Sequence, residues 1–86
     1  MKFSKLVSKW RGSLDWWISA EPGNTWFYKG NIGDMSFPLY LAIADLKVIW
    51  YGDWDYVKPH FEVRLSRPEN EERFEELVKR YGVKDK

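Results

Sequence analysis

Bulky aromatic residues stand side by side three times in this chain, as Trp16-Trp17, Trp26-Phe27-Tyr28 and Trp50-Tyr51. Each group lies in a stretch that reads as β-strand. Along a strand, successive side chains point to opposite faces. Two neighbouring rings therefore cannot share one face, and a sheet built from these segments carries large rings on both sides. A chain of 86 residues is long enough for one compact domain, 1–86, and its core is thin. Small domains often add disulfides or a metal. Here there is no cysteine and a single histidine, His60, so a four-ligand zinc site is excluded and aromatic mass must supply the cohesion. No cofactor and no bound metal are expected.

Periodicity outlines the elements. Phe3, Leu6, Val7 and Trp10 recur at helical spacing over residues 3–10, a short amphipathic helix ended by Gly12. Residues 14–19 alternate, with Leu14, Trp16 and Ile18 on one face and Asp15, Trp17 and Ser19 on the other. Glu21-Pro22-Gly23-Asn24 signals a turn, 25–29 a second strand, and 30–34 a loop. Residues 37–46 read as helix or as strand; Pro38, Ala42 and Ala44 favour helix. Over 46–51, Leu46, Val48 and Trp50 alternate with Lys47, Ile49 and Tyr51. Gly52-Asp53 reads as a turn leading to a short strand from Trp54 to Val57. Residues 60–65 form the clearest strand, with Phe61, Val63 and Leu65 inward and His60, Glu62 and Arg64 outward.

A last helix opens at Ser66 as N-cap, with Pro68 in its first turn and Glu69 closing a capping box. Its stripe is Phe74, Leu77, Val78 and Tyr81, and Gly82 ends it. The fold expected is α+β in two layers, a small antiparallel sheet of about four to five strands with an N-terminal and a C-terminal helix.

Charge and motifs narrow the function. The formal net charge of +1 gives no general attraction to nucleic acid or anionic membranes. No run of about 18 apolar residues spans a membrane, and no apolar signal core follows Met1, so a cytoplasmic location is expected. The lack of Gln and Cys, beside abundant Lys, Glu and Arg, matches the composition of proteins from heat-loving organisms. The six serines stand in no nucleophile motif, and His60 beside Pro59 has no nucleophile nearby and reads as a surface or edge residue. Asp55 ahead of Glu62-Val63-Arg64 resembles the acid constellation of metal-dependent nucleases, but any amphipathic strand with surface charges gives that pattern. The chain is expected not to be an enzyme.

By strict alternation, Trp17 and Tyr51 share the face opposite Trp16 and Trp50, among Lys47, Glu62 and Arg64. Trp26 and Tyr28 join them if Phe27 is the buried member of its strand, and Trp54 sits at the Gly52–Tyr56 tip. Such rings either form a binding surface, as Trp, Tyr and Arg do at interface hot spots, or lie beneath a further helix as core. The binding reading makes Trp17, Tyr51, Trp54, Trp26, Tyr28, Arg64 and Lys47 the partner-binding set of a regulator, inhibitor or subunit. Its partner is another protein or a second copy of the chain. The alternative is single-stranded nucleic acid, with rings stacking on bases and Lys2, Lys5, Lys9 and Arg11 seeking phosphates. Carbohydrate binding is a further reading, disfavoured by the scarcity of amide side chains.

Overall fold

The computed structural model describes residues 1–9, 14–20, 25–54 and 59–82, with Trp54 described by its backbone alone. The elements run α1 (Phe3–Lys9), β1 (Asp15–Ala20), β2 (Thr25–Asn31), a 3-10 turn (Ile32–Asp34), α2 (Phe37–Ile43), β3 (Val48–Trp54), β4 (His60–Leu65) and α3 (Glu71–Tyr81). The fold is α+β, with helices at both ends as the periodicity predicts.

The sheet has four strands in the order β2-β1-β4-β3. β1–β2 and β3–β4 pair antiparallel, while β1–β4 pairs parallel. The expected antiparallel sheet is thus a mixed one. Two hairpin-like halves meet through β1 and β4, and the chain between them passes through α2 before returning to the sheet.

One apolar cluster joins Phe3 and Leu6 of α1, Leu39 and Ile43 of α2 and Leu77 of α3 to Trp16, Ile18, Ala20, Phe27, Val48, Phe61, Val63 and Leu65 of the sheet. The helices therefore pack on one face, called inner here. Trp16 is fully buried, edge-on to Phe3 at 6.1 Å and tilted against Phe61 at 4.7 Å. Offset and edge-on geometries of this kind add to the hydrophobic gain of burying each ring. The rings supply the cohesion that disulfides give other small domains.

Local chemistry explains the helix ends. Ser36 caps α2 by accepting from Leu39 N–H, and Pro38 sits in the first turn, where its missing N–H costs nothing. Of the two readings of 37–46, helix is the one adopted, over 37–43. The last helix starts later than expected. Ser66 N–H donates to Lys47 C=O at 2.7 Å, so the pairing with the β3 side carries one residue past β4, and the helix begins only at Glu71, too far along for Ser66 to cap it. Asn70 is the N-cap, accepting from Arg73 N–H at 3.1 Å. Gly82 ends the helix as expected, its N–H donating to Val78 C=O. Val78 itself faces solvent rather than the apolar stripe.

Gly52-Asp53 is not a turn. β3 continues through it, pairing Gly52 with Glu62, Asp53 with Phe61 and Trp54 with His60. The glycine serves packing instead: a Cβ at Gly52 would lie 3.4 Å from the Trp50 ring, which lies along its own strand above that position. The 30–34 loop is shorter than expected, because β2 runs to Asn31 and Ile32–Asp34 form the 3-10 turn, with Gly33 N–H donating to Asn31 Oδ1. The turn at 21–24, the helix end at Gly12 and the strand beyond Trp54 fall outside the described residues.

Candidate functional site

The face of the sheet turned away from the helices is set by register. In both pairings of the central strands, facing residues share a side, so Trp17, Glu62 and Lys29 line up across β4, β1 and β2, as do Arg64, Ser19 and Trp26. On the far side of β4, Trp50 faces Arg64 and Gly52 faces Glu62. The outer face thus carries Trp17, Trp26, Lys29, Trp50, His60, Glu62 and Arg64.

Two bulges decide which rings appear there. The β1–β2 register shifts between Ile18 and Ser19, so that Ile18 faces Tyr28 while Ser19 faces Trp26. Phe27 is the extra residue. It is buried, and Tyr28 turns inward beside it, partly buried against the core. Tyr28 therefore does not join the outer group. Its hydroxyl donates to Asn31 C=O at 2.6 Å, and burial, then the charges of Asp34 and Asp15, push its pKa above the usual phenol range. Trp26, by contrast, does join, edge-on to Trp17 at 6.0 Å.

The second bulge shifts the β3–β4 register between Val48 and Trp50. Ile49 is its extra residue, and alternation restarts one step out of phase. Tyr51 faces Val63 on the helix side, with its ring 5.9 Å from Phe61, and Trp50 takes the outer side. The expected positions of Trp50 and Tyr51 are thus exchanged. The divergence of the two neighbours holds, and only its direction differs. Tyr51 nonetheless keeps 46% of its surface, because β3 is a marginal strand.

The outer face is more tightly built than its surface-type residues suggest. His60 is fully buried, stacked on Trp17 with ring centres 3.8 Å apart, and its Nε2 donates to Glu62 Oε1 at 3.2 Å. The expectation of a surface or edge histidine fails because β4 is a central strand, with a neighbour on each side and Trp17 over the ring. The Lys29 ammonium lies 4.8 Å from the Trp17 ring and 5.0 Å from the Trp26 ring. It is within cation–π range of both. Ser19 Oγ and Arg64 Nε are buried with no hydrogen-bond partner among the described residues.

Lys47 stands apart from this group. It precedes β3 and lines an open depression with Asp45, Ser66, Arg67, Asn70 and Arg73. There Arg73 grips Asp45 with two hydrogen bonds of 2.7 and 3.3 Å and donates to Ala42 C=O at 3.0 Å, tying α3 to the end of α2. The Arg73 hydrogen bond holds the Asp45 carboxyl below its ordinary pKa. Trp54 ends β3 opposite His60, and its side chain lies outside the described residues.

Of the seven residues expected to bind a partner, Trp17, Trp26 and Arg64 come together. Tyr51 and Tyr28 face the helices, and Lys47 sits at another site. Trp50, Lys29 and His60 complete the cluster and were not in the expected set. The hydrophobic pattern carries no sign of the two bulges that place Trp50 and Lys29. The buried position of His60 follows from strand order. Asp55 of the nuclease constellation falls outside the described residues, and Glu62 is nearly buried and accepts from His60. Among the described residues, no three His, Asp or Glu side chains gather as a metal-holding group, and no helix is long and apolar enough to cross a membrane. No protein-family model, no curated protein and no solved structure significantly matches the chain.

Proposed function

We propose that the chain is a non-enzymatic protein-interaction module whose partner, another protein chain, docks on the outer sheet face. One observation carries this reading: Trp17, Trp26 and Trp50, with Lys29 and Arg64 among them, gather on the side of the sheet opposite the helices, apart from the core cluster built around Trp16. Trp and Arg are enriched at interface hot spots, Trp because it buries much area at little entropic cost and Arg because its planar fork offers several hydrogen-bond donors. The face is pre-organised as well. Stacking on His60 and the bridging Lys29 hold Trp17 and Trp26 in place before a partner arrives, so little ordering entropy is lost on binding.

The same geometry weighs against single-stranded nucleic acid. Base stacking needs an open π-face. Trp17 has His60 on its ring at stacking distance and Lys29 within cation–π range. A net charge of +1 adds little phosphate attraction.

Affinity capture from an extract of the source organism tests the proposal, using the wild type, Trp26→Ala, Arg64→Ala and the distant variant Phe37→Ser. The expected result is a partner held by the wild type and Phe37→Ser and lost from the other two, since removing one hot-spot residue weakens binding by roughly 30-fold or more. A partner held equally by all four refutes the outer face. Quenching of Trp fluorescence by oligo-dT, reversed by salt, favours the nucleic-acid reading instead.

A further inference from the structure

Across the outer face, strand pairing sets four side chains in one row: Trp26 of β2, Ser19 of β1, Arg64 of β4 and Trp50 of β3. The two rings stand on the marginal strands, and the two polar residues stand between them on the central pair. The middle of this row is short of hydrogen bonds. Ser19 is fully buried, and neither its Oγ nor the buried Arg64 Nε has a partner among the described residues. Arg64 makes no ion pair there either. Its neighbours on the face are engaged: Glu62 accepts from His60, and Lys29 lies over the Trp17 and Trp26 rings. A buried hydroxyl or guanidinium N–H without an acceptor works against the fold, so such groups are rare in native interiors and call for a reason. Here two of them occupy facing positions on adjacent strands, whose backbones lie about 4.8 Å apart.

We propose that Ser19 and Arg64 form a receptor for one carboxylate, supplied by an Asp or Glu side chain of the partner protein. The proposal rests on the outer-face reading and names the chemistry that docks there. Arginine only donates and a serine hydroxyl can donate, so the group that completes both is an acceptor. Arg64 brings one positive charge, which one carboxylate neutralises. Phosphate groups carry nearly two charges and are held by clusters of arginines. The Nε and neighbouring Nη of a guanidinium also form a flat fork that matches the two oxygens of a carboxylate.

Access runs through Arg64, which is only partly buried. With no hydrogen bond in the chain to give up, its side chain turns toward an incoming carboxylate, and Ser19 Oγ then donates to the same group. Ser19 thus has opposite effects on the two states. Its unpaired hydroxyl lowers the stability of the free domain and strengthens the bound one.

The probe is blocked aspartate, N-acetyl-aspartate methylamide, with blocked asparagine as its neutral isostere. Both are titrated at constant ionic strength against the full chain, and the Arg64 Nε–H signal and the backbone amides of β1 and β4 are followed by NMR. The aspartate probe should shift these signals saturably in the millimolar range expected of so small a ligand, and the asparagine probe should not. Arg64→Lys keeps the charge and loses the fork, and Ser19→Ala loses one donor. Each should weaken the probe about ten-fold, the scale of a hydrogen bond to a charged group. Ser19→Ala should also melt no lower than wild type, which separates a binding role from a structural one. Should Arg64→Lys fail to fold, Ser19→Ala carries the test alone.

No shift up to about 100 mM, where millimolar binding is expected, overturns the proposal. So do equal shifts by both probes, tighter binding of inorganic phosphate, wild-type affinity in Ser19→Ala, or a clear fall in its melting temperature. In affinity capture, a partner lost from Trp26→Ala but kept by both Arg64→Lys and Ser19→Ala overturns the carboxylate contact and leaves the docking face standing. A partner kept by Trp26→Ala removes the face itself.

Discussion

Trp16 and Trp17 are neighbours in sequence, and the same substitution in each tests the two-faced sheet directly. Trp16→Ala removes a fully buried ring that contacts Phe3 and Phe61 at the centre of the core. Truncating such a ring costs about 3–5 kcal/mol, the lost transfer energy plus the cavity left behind. A chain of 86 residues has a total stability of about 4–13 kcal/mol, so the loss is a large share of it. Trp17→Ala removes a partly exposed ring. It loses the stack on His60, the edge contact with Trp26 and the Lys29 contact. At about 0.5–1.5 kcal/mol for each aromatic pair, less what solvent and neighbouring rings recover, the cost is about 1–2 kcal/mol. For a domain of this size each kcal/mol moves Tm by about 4–8 °C. Thermal unfolding followed by circular dichroism should therefore show a fall of about 15–30 °C for Trp16→Ala and about 5–15 °C for Trp17→Ala. Equal losses, or a larger loss for Trp17, would refute the assignment of the two rings to opposite faces.

Further predictions concern the supports of the fold. Asn70→Ala should cost about 1 kcal/mol by removing the cap of α3, whereas Ser66→Ala, where no cap exists, should fall within about 0.5 kcal/mol of wild type in urea unfolding. Asp45→Asn should cost about 0.2–1 kcal/mol at neutral pH, since Arg73 and Asp45 are both about half exposed and screened. Because the folded carboxyl titrates below its unfolded value near 3.9, that contribution is complete above pH ~5 and fades as pH falls through the folded pKa. Wild type and Asp45→Asn should accordingly converge in Tm at strongly acid pH; a gap that persists there would show that the pair does not act through ionisation.

Much of the architecture was legible in the residues alone. Helical spacing marked the terminal helices, alternation marked the strands, and Ser36-Phe37-Pro38 holds the capping chemistry of α2. The divergence of neighbouring rings also follows from chain geometry, and it places Trp16 in the core and Trp17 outside it. These are local properties, expressed within a few residues wherever the segment ends up. Strand order is not local. It puts β4 between β1 and β3, and so buries His60 and Glu62 on a face that their polarity marks as exposed. The start of the last helix shifts as well: the chain at Ser66 still follows the sheet through its bond to Lys47, and Asn70 takes the cap. The bulges at Phe27 and Ile49 are tertiary decisions as well, because one unpaired residue reverses every later side chain while leaving the hydrophobic pattern unchanged. That reversal sent Tyr28 and Tyr51 toward the helices and brought Trp50 and Lys29 to the outer face. Composition and alternation thus determined that rings must occupy both faces of the sheet, and long-range pairing, where each register is settled by the strand beside it, chose which rings those are.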